Sequence, residues 1–104
     1  MIKEITKDNI KDIIATGVVM IKFGAKWCGP CRQIAPIIEK ISTDFDKKVI
    51  VGDINIDNEP ELANEMGIRS VPTIIFYKDG EEVNRINGMT AADALTTQIN
   101  TLIG

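Results

Sequence analysis

The sequence predicts an α/β domain built on a mixed sheet with helices on both faces. Three observations carry that expectation. Short apolar runs alternate with amphipathic stretches, reading β-α-β-α-β-α-β-β-α along the chain. The segment Val18 to Ala25 (VVMIKFGA) is largely β-branched and apolar on both faces, as suits a central buried strand. Asp79-Gly80 is a strong hairpin signal between two further strands. The leading strands, joined through helices, read as parallel right-handed crossovers, and the hairpin adds antiparallel strands at the end.

Each element has a local reason. Ile2 to Thr6 reads as a short first strand. Lys7 to Thr16 puts Ile10, Ile13 and Ile14 on one helical face, and Gly17 ends it. From Cys28 to about Phe45, Ile34, Ile37, Ile38 and Ile41 repeat at helical spacing. Pro36 falls inside that helix and should bend it, because it removes one backbone hydrogen bond. Lys48 to Asp57 is the next strand. Asn58, Pro60 and Gly67 bracket a short helix with Leu62 and Met66 four apart. Ser70 to Lys78 is a strand entered through Val71-Pro72, and Glu82 to Asn87 is its hairpin partner. Thr90 and Asp93 read as a capping pair for a last helix, whose Leu95, Ile99, Leu102 and Ile103 face the core.

Length and charge narrow the function. The 104 residues suit one domain, 1–104, and leave no room for a second. The net charge of −3 provides no basic excess for a phosphate backbone, so nucleic acid is not an expected partner. No apolar run approaches the ~20 residues that span a bilayer, so no membrane association is expected. The start, MIKEITKDNIKDIIATG, interleaves charges with Ile and shows no secretory pattern, so a cytoplasmic location is expected.

The chemistry concentrates at two cysteines. Cys28-Gly29-Pro30-Cys31 has the spacing of half a zinc site, but the chain has no His and no further Cys to complete four ligands. No metal is expected. The motif opens the second helix, where unpaired N–H groups and the positive end of the helix dipole favour a thiolate at Cys28. The i, i+3 spacing brings the sulfurs close enough to bond. Gly29 leaves the backbone open to approach, and Pro30 suits an early helical position that needs no N–H. The exit of a buried parallel strand is also where α/β sheets place their sites.

These residues resemble a known family. Phe23, Ala25, Trp27-Cys28-Gly29-Pro30-Cys31 and Arg32 are similar to the active-site segment of thioredoxins. The likeness extends over nearly the whole chain, through Pro36, Asn55-Ile56-Asp57, Gly67-Ile68-Arg69, Val71-Pro72-Thr73, Gly80 and Gly88. It implies the thioredoxin fold, a central mixed five-stranded sheet flanked by four helices. It implies a cis Pro72 beside the cysteines, with the Val71 backbone offered to an extended substrate strand. It also implies protein-disulfide reduction: Cys28 attacks a substrate disulfide, and Cys31, less exposed, resolves the mixed disulfide. The oxidised Cys28–Cys31 pair would be recycled by a thioredoxin reductase that carries flavin and draws on NADPH. The chain has no GxGxxG motif of its own, so it is expected to bind no nucleotide.

Departures from the family pattern are informative. Lys22 stands where most thioredoxins have a buried Asp that handles the Cys31 proton, and Asp53 stands where Lys is common. The two are expected to form an inverted, half-buried ion pair, because an isolated charge on either strand costs several kcal/mol. The alternative is that Lys22 reaches solvent and takes no part in proton transfer. Gly24 replaces a second Trp found in many relatives, which thins the support under the active-site turn. Asn87, ahead of Gly88, makes one side of the docking groove more polar. Trp27 is the only Trp and is expected to report on the redox state of the adjacent cysteines.

Three functions fit. The leading one is a general protein-disulfide reductase acting as a monomer on disulfide-containing proteins. An oxidase or isomerase shares the fold but is disfavoured by the Gly-Pro between the cysteines and the lack of an export signal. A non-catalytic thioredoxin-fold module, using the surface of Trp27, Val71, Asn87 and Gly88 to bind proteins, remains the alternative.

Overall fold

A computed structural model describes residues 2–104 of the chain. The strands are β1 (Ile2–Glu4), β2 (Val18–Gly24), β3 (Val49–Asn55), β4 (Thr73–Lys78) and β5 (Glu81–Asn87). The helices are α1 (Ile10–Ile14), α2 (Gly29–Asp44), α3 (Pro60–Glu65) and α4 (Ala92–Ile103). The sheet order is β1-β3-β2-β4-β5. The three leading strands pair in parallel, while β4 runs antiparallel to β2 and β5 antiparallel to β4. The expected element order is the observed one.

Alternation along β2 explains the two-sided core. Val18 and Met20 point to one face and pack with Ile34, Ile38 and Ile41 of α2 and with Leu95, Ile99 and Leu102 of α4. Val19, Ile21 and Phe23 point to the other and meet Ile10, Ile54, Leu62 and Ile75 under α1 and α3. A strand buried on both faces has to be apolar at every step, and β2 breaks that rule only at Lys22. Gly52 in β3 is there for space: a Cβ would sit 2.5 Å from Ile5 Cγ1. The hairpin turn needs left-handed backbone, and Asp79 (φ 50°) and Gly80 (φ 92°) supply it.

Several boundaries are tighter than expected. The first strand stops at Glu4, because the Asn9 side chain accepts the Thr6 N–H at 2.7 Å and turns the chain. That turn also delays the first helix to Ile10. The fourth strand begins at Thr73, whose hydroxyl donates to the Ser70 carbonyl at 2.8 Å and holds residues 70–73 in a turn. The Thr90–Asp93 capping pair does not form. The N-cap of α4 is Ala91, with no side-chain cap bond, so Thr90 lies one residue too early. Asp93 still sits in the first turn, where its charge complements the helix dipole. The second helix continues through Pro36.

Candidate active site

Cys28 is the N-cap of α2, with extended backbone (φ −89°, ψ 112°), and Pro30 occupies the first turn as its missing N–H allows. The two cysteines are joined as a disulfide, with Cα atoms 5.3 Å apart. The Cys31 amide donates to Cys28 Sγ at 3.2 Å. That bond meets one of the helix's orphan donors and places a partial positive charge on the first sulfur. After reduction, the same N–H would stabilise a thiolate there.

The first sulfur faces a loop from the other end of the sheet. Val71–Pro72 is a cis peptide, and Cys28 Sγ lies 3.6 Å from the Val71 carbonyl oxygen. In the disulfide this is a contact without a proton between the atoms. Gly88, in left-handed backbone (φ 86°), donates its N–H to the Pro72 carbonyl at 2.7 Å, tying the β5 exit to this loop. Thr73 Oγ1 lies 3.3 Å from Asn87 Oδ1, which draws Asn87 to the same corner. Beside them Trp27 is 64% exposed, yet its indole N–H donates to Asp57 Oδ2 at 2.9 Å. A large apolar ring on the surface with one edge tethered is suited to contact another chain.

The second sulfur faces the opposite side. A Cβ on Gly24 would lie 3.3 Å from Cys31 Sγ and 3.4 Å from Lys22 Cε, so the Lys22 stem and the sulfur share the space beside bare backbone. Lys22 and Asp53 are register partners between β2 and β3, and Lys22 Nζ is 3.4 Å from Asp53 Oδ1. The pair is lopsided. The Lys22 side chain is 12% exposed and that of Asp53 47% exposed, so solvent screens the contact from one end. Among the described residues, no group of three or more His, Cys, Asp or Glu is placed to hold a metal ion.

Residues 1–101 match the thioredoxin family model. The chain belongs to the thioredoxin family. It is 41% identical to the thioredoxin of Chlamydia caviae over 100 residues, 96% of this chain and 97% of that protein. It is 37% identical to the thioredoxin of Staphylococcus saprophyticus over 98 residues, 94% of each. The solved thioredoxin of Malassezia sympodialis superposes with a TM-score of 0.90 at 34% identity, covering 100% of this chain and 92% of that one. The fold is therefore the thioredoxin fold, and the chain is a protein-disulfide oxidoreductase carrying a redox-active disulfide at Cys28 and Cys31. No helix among the described residues is long and apolar enough to cross a membrane.

The thioredoxin-family site gathers most of the residues singled out from sequence. Trp27, Cys28, Gly29, Pro30, Cys31, Val71, Pro72, Asn87 and Gly88 lie at one end of the sheet. Lys22 and Asp53 lie on the α2 face, behind Cys31. A side chain at Gly29 would meet only open space, so this glycine leaves the outer surface clear. Cys31 is the less exposed of the two cysteines, as expected, but only narrowly: both are nearly covered, at 5% for Cys28 and 3% for Cys31. The asymmetry lies in what covers them: the Val71 loop on one side, Gly24 and the Lys22 stem on the other. Sequence reasoning missed the tether from Asp57 to Trp27. Part of its signal was available, because parallel strands joined by a crossover helix end on the same side of a sheet, as residues 25–28 and 56–58 do here.

Proposed function

We propose that residues 1–104 act as one thioredoxin domain, a cytoplasmic monomer that reduces protein disulfides, with Cys28 as nucleophile and Cys31 as resolving thiol. The observation that carries this reading is the Cys31 N–H directed at Cys28 Sγ from the start of α2. In the reduced protein the Cys28 thiolate attacks a substrate sulfur and expels the other substrate sulfur as thiolate. Cys31 loses its proton and attacks Cys28, releasing the second substrate thiolate and leaving the oxidised pair. An extended substrate would pair with the Val71 backbone and lie against Trp27, Gly88 and Asn87. Gly29 and Pro30 shape the turn that presents Cys28, and Pro72 fixes the facing loop.

Lys22 takes the place of a proton-handling carboxylate. An ammonium near Cys31 favours its thiolate, where a carboxylate would oppose it. Asp53 holds that ammonium under the site. Two electrons must then return to the pair, and a flavin-containing thioredoxin reductase fed by NADPH supplies them. Turnover of insulin disulfides by dithiothreitol, with and without the protein, tests the central reading. Marked acceleration is expected, and no acceleration would leave only a binding role.

A further inference from the structure

We propose that the Cys28–Cys31 disulfide has a second entrance, through which a small zwitterionic thiol of the amino-acid type attacks Cys31 rather than Cys28. A cleft of about 390 Å³ lies between β2, β3 and the start of α2, lined in part by Lys22, Gly24, Cys31, Arg32, Asp53 and Glu59. Its volume falls at the lower end of small-molecule sites, roughly 300–1,000 Å³. Of the two cysteines, only Cys31 lines it. Cys28 Sγ lies instead against Val71.

Gly24 makes the entrance. It carries no side chain where a Cβ would press on Cys31 Sγ at 3.3 Å. The stem of Lys22 borders the same space and has rotatable bonds to swing aside. The lining mixes three cations, Lys22, Lys26 and Arg32, with three carboxylates, Glu4, Asp53 and Glu59. A ligand bearing both a carboxylate and an ammonium complements such a rim better than an anion or a cation alone.

The bond chemistry favours the same direction. An incoming thiolate forms a bond to Cys31 Sγ, the Cys28–Cys31 bond breaks, and Cys28 departs as thiolate. Cys28 is the better leaving group, because the Cys31 N–H and the helix start already face its sulfur. A second molecule of the thiol then attacks the outer sulfur of the adduct. The small disulfide leaves, and the Cys31 thiolate takes up a proton. Two small thiols are oxidised and the protein disulfide is reduced. The proposal rests on the exchange reading of this pair but assigns a different reductant and a different sulfur.

Single-cysteine forms of the full chain separate the two entrances. Cys28→Ser leaves only Cys31, and Cys31→Ser leaves only Cys28. Each is treated with L-cystine or with uncharged 2-hydroxyethyl disulfide, and adduct formation is timed by mass spectrometry. Adduct formation at Cys31 is the reverse of the second step, in which Cys31 departs from the mixed disulfide, and it needs the same open space beside that sulfur. We expect Gly24→Val, or Gly24→Ala if valine prevents folding, to slow L-cystine at Cys31 about tenfold more than at Cys28. L-cystine is expected to outpace the uncharged disulfide at Cys31 by a larger factor than at Cys28. Equal slowing at both sulfurs, no charge preference at Cys31, or an inert Cys31 beside a reactive Cys28 would overturn the second entrance and leave the reductase reading standing. An inert Cys28 would overturn the reductase reading itself.

Discussion

The two sulfurs of one disulfide sit in surroundings built by different means. Around Cys28 the partners are backbone groups: the Cys31 N–H, the Val71 carbonyl and, behind it, the Gly88 N–H on Pro72. Around Cys31 they are side chains or the lack of one: Lys22, its partner Asp53 and the bare Gly24. Backbone groups keep their positions whatever side chains a sequence carries, so they suit the step that every turnover shares. Side chains can be exchanged one at a time, so the Cys31 side is the one a sequence can retune without losing the fold.

Removing each sulfur tests the division most severely. Cys28→Ser is expected to reduce insulin turnover to the rate of dithiothreitol alone, since no other thiol faces the docking surface. Cys31→Ser should also stop turnover, but by a different route: Cys28 still attacks, and the mixed disulfide accumulates. Gel-resolved adducts in Cys31→Ser and none in Cys28→Ser are the expected pattern. Adducts of protein substrates in both would show that the two sides are equivalent.

Lys22→Met sharpens the comparison from the Cys31 side. Loss of the ammonium removes a group that favours the Cys31 thiolate, so the resolving step should need a higher pH. The rising limb of the pH–rate profile is expected to move upward, with roughly fivefold slower turnover at its foot, corresponding to about 1 kcal/mol. The attack of Cys28 in the Cys31→Ser background should change far less. An unmoved profile would confine Lys22 to a packing role.

How much of this was legible beforehand follows the same division. The strand and helix order could be read because β2 is apolar on both faces and α2 repeats Ile34, Ile38 and Ile41 at helical spacing. The position of the cysteines at a helix start follows from that order alone. Spatial order does not: nothing local in Val49–Asn55 says that β3 inserts between β1 and β2. The end of β1 and the cap of α4 went astray because single side-chain bonds decide them, the Asn9 turn in one case and the absent Thr90 bond in the other. The near-equal burial of the two cysteines was equally hidden, since it depends on a loop more than forty residues away packing against Cys28.

Asp57 offers a gentler test on the Cys28 side. Its carboxylate holds the indole of Trp27 at 2.9 Å, and both residues are exposed, so water competes for the bond. Asp57→Ala should free the ring and raise KM for protein substrates about threefold with kcat nearly unchanged, equivalent to ~0.7 kcal/mol of docking. Trp27 is the only tryptophan, so its emission reads the same change directly. The emission of the parent protein should differ between oxidised and reduced forms, and in Asp57→Ala that difference should shrink. An unaltered KM would make the tether ornamental to docking.

The smallest expected effect concerns the ion pair behind Cys31. Lys22 Nζ and Asp53 Oδ1 are 3.4 Å apart, but Asp53 is about half exposed and shares its charge with solvent. A pair screened by solvent at one end couples on the scale of surface pairs, roughly 0.2–1 kcal/mol. A double-mutant cycle of Lys22→Met and Asp53→Leu, read by urea unfolding of the oxidised protein, should therefore give a coupling near 0.5 kcal/mol. The single Lys22→Met change should cost little or even stabilise, because it removes a charge from a strand that is otherwise apolar. Coupling near zero would mean that Asp53 does not hold the ammonium in place. Lys22 would then owe its position to the packing of its stem beside Cys31 alone.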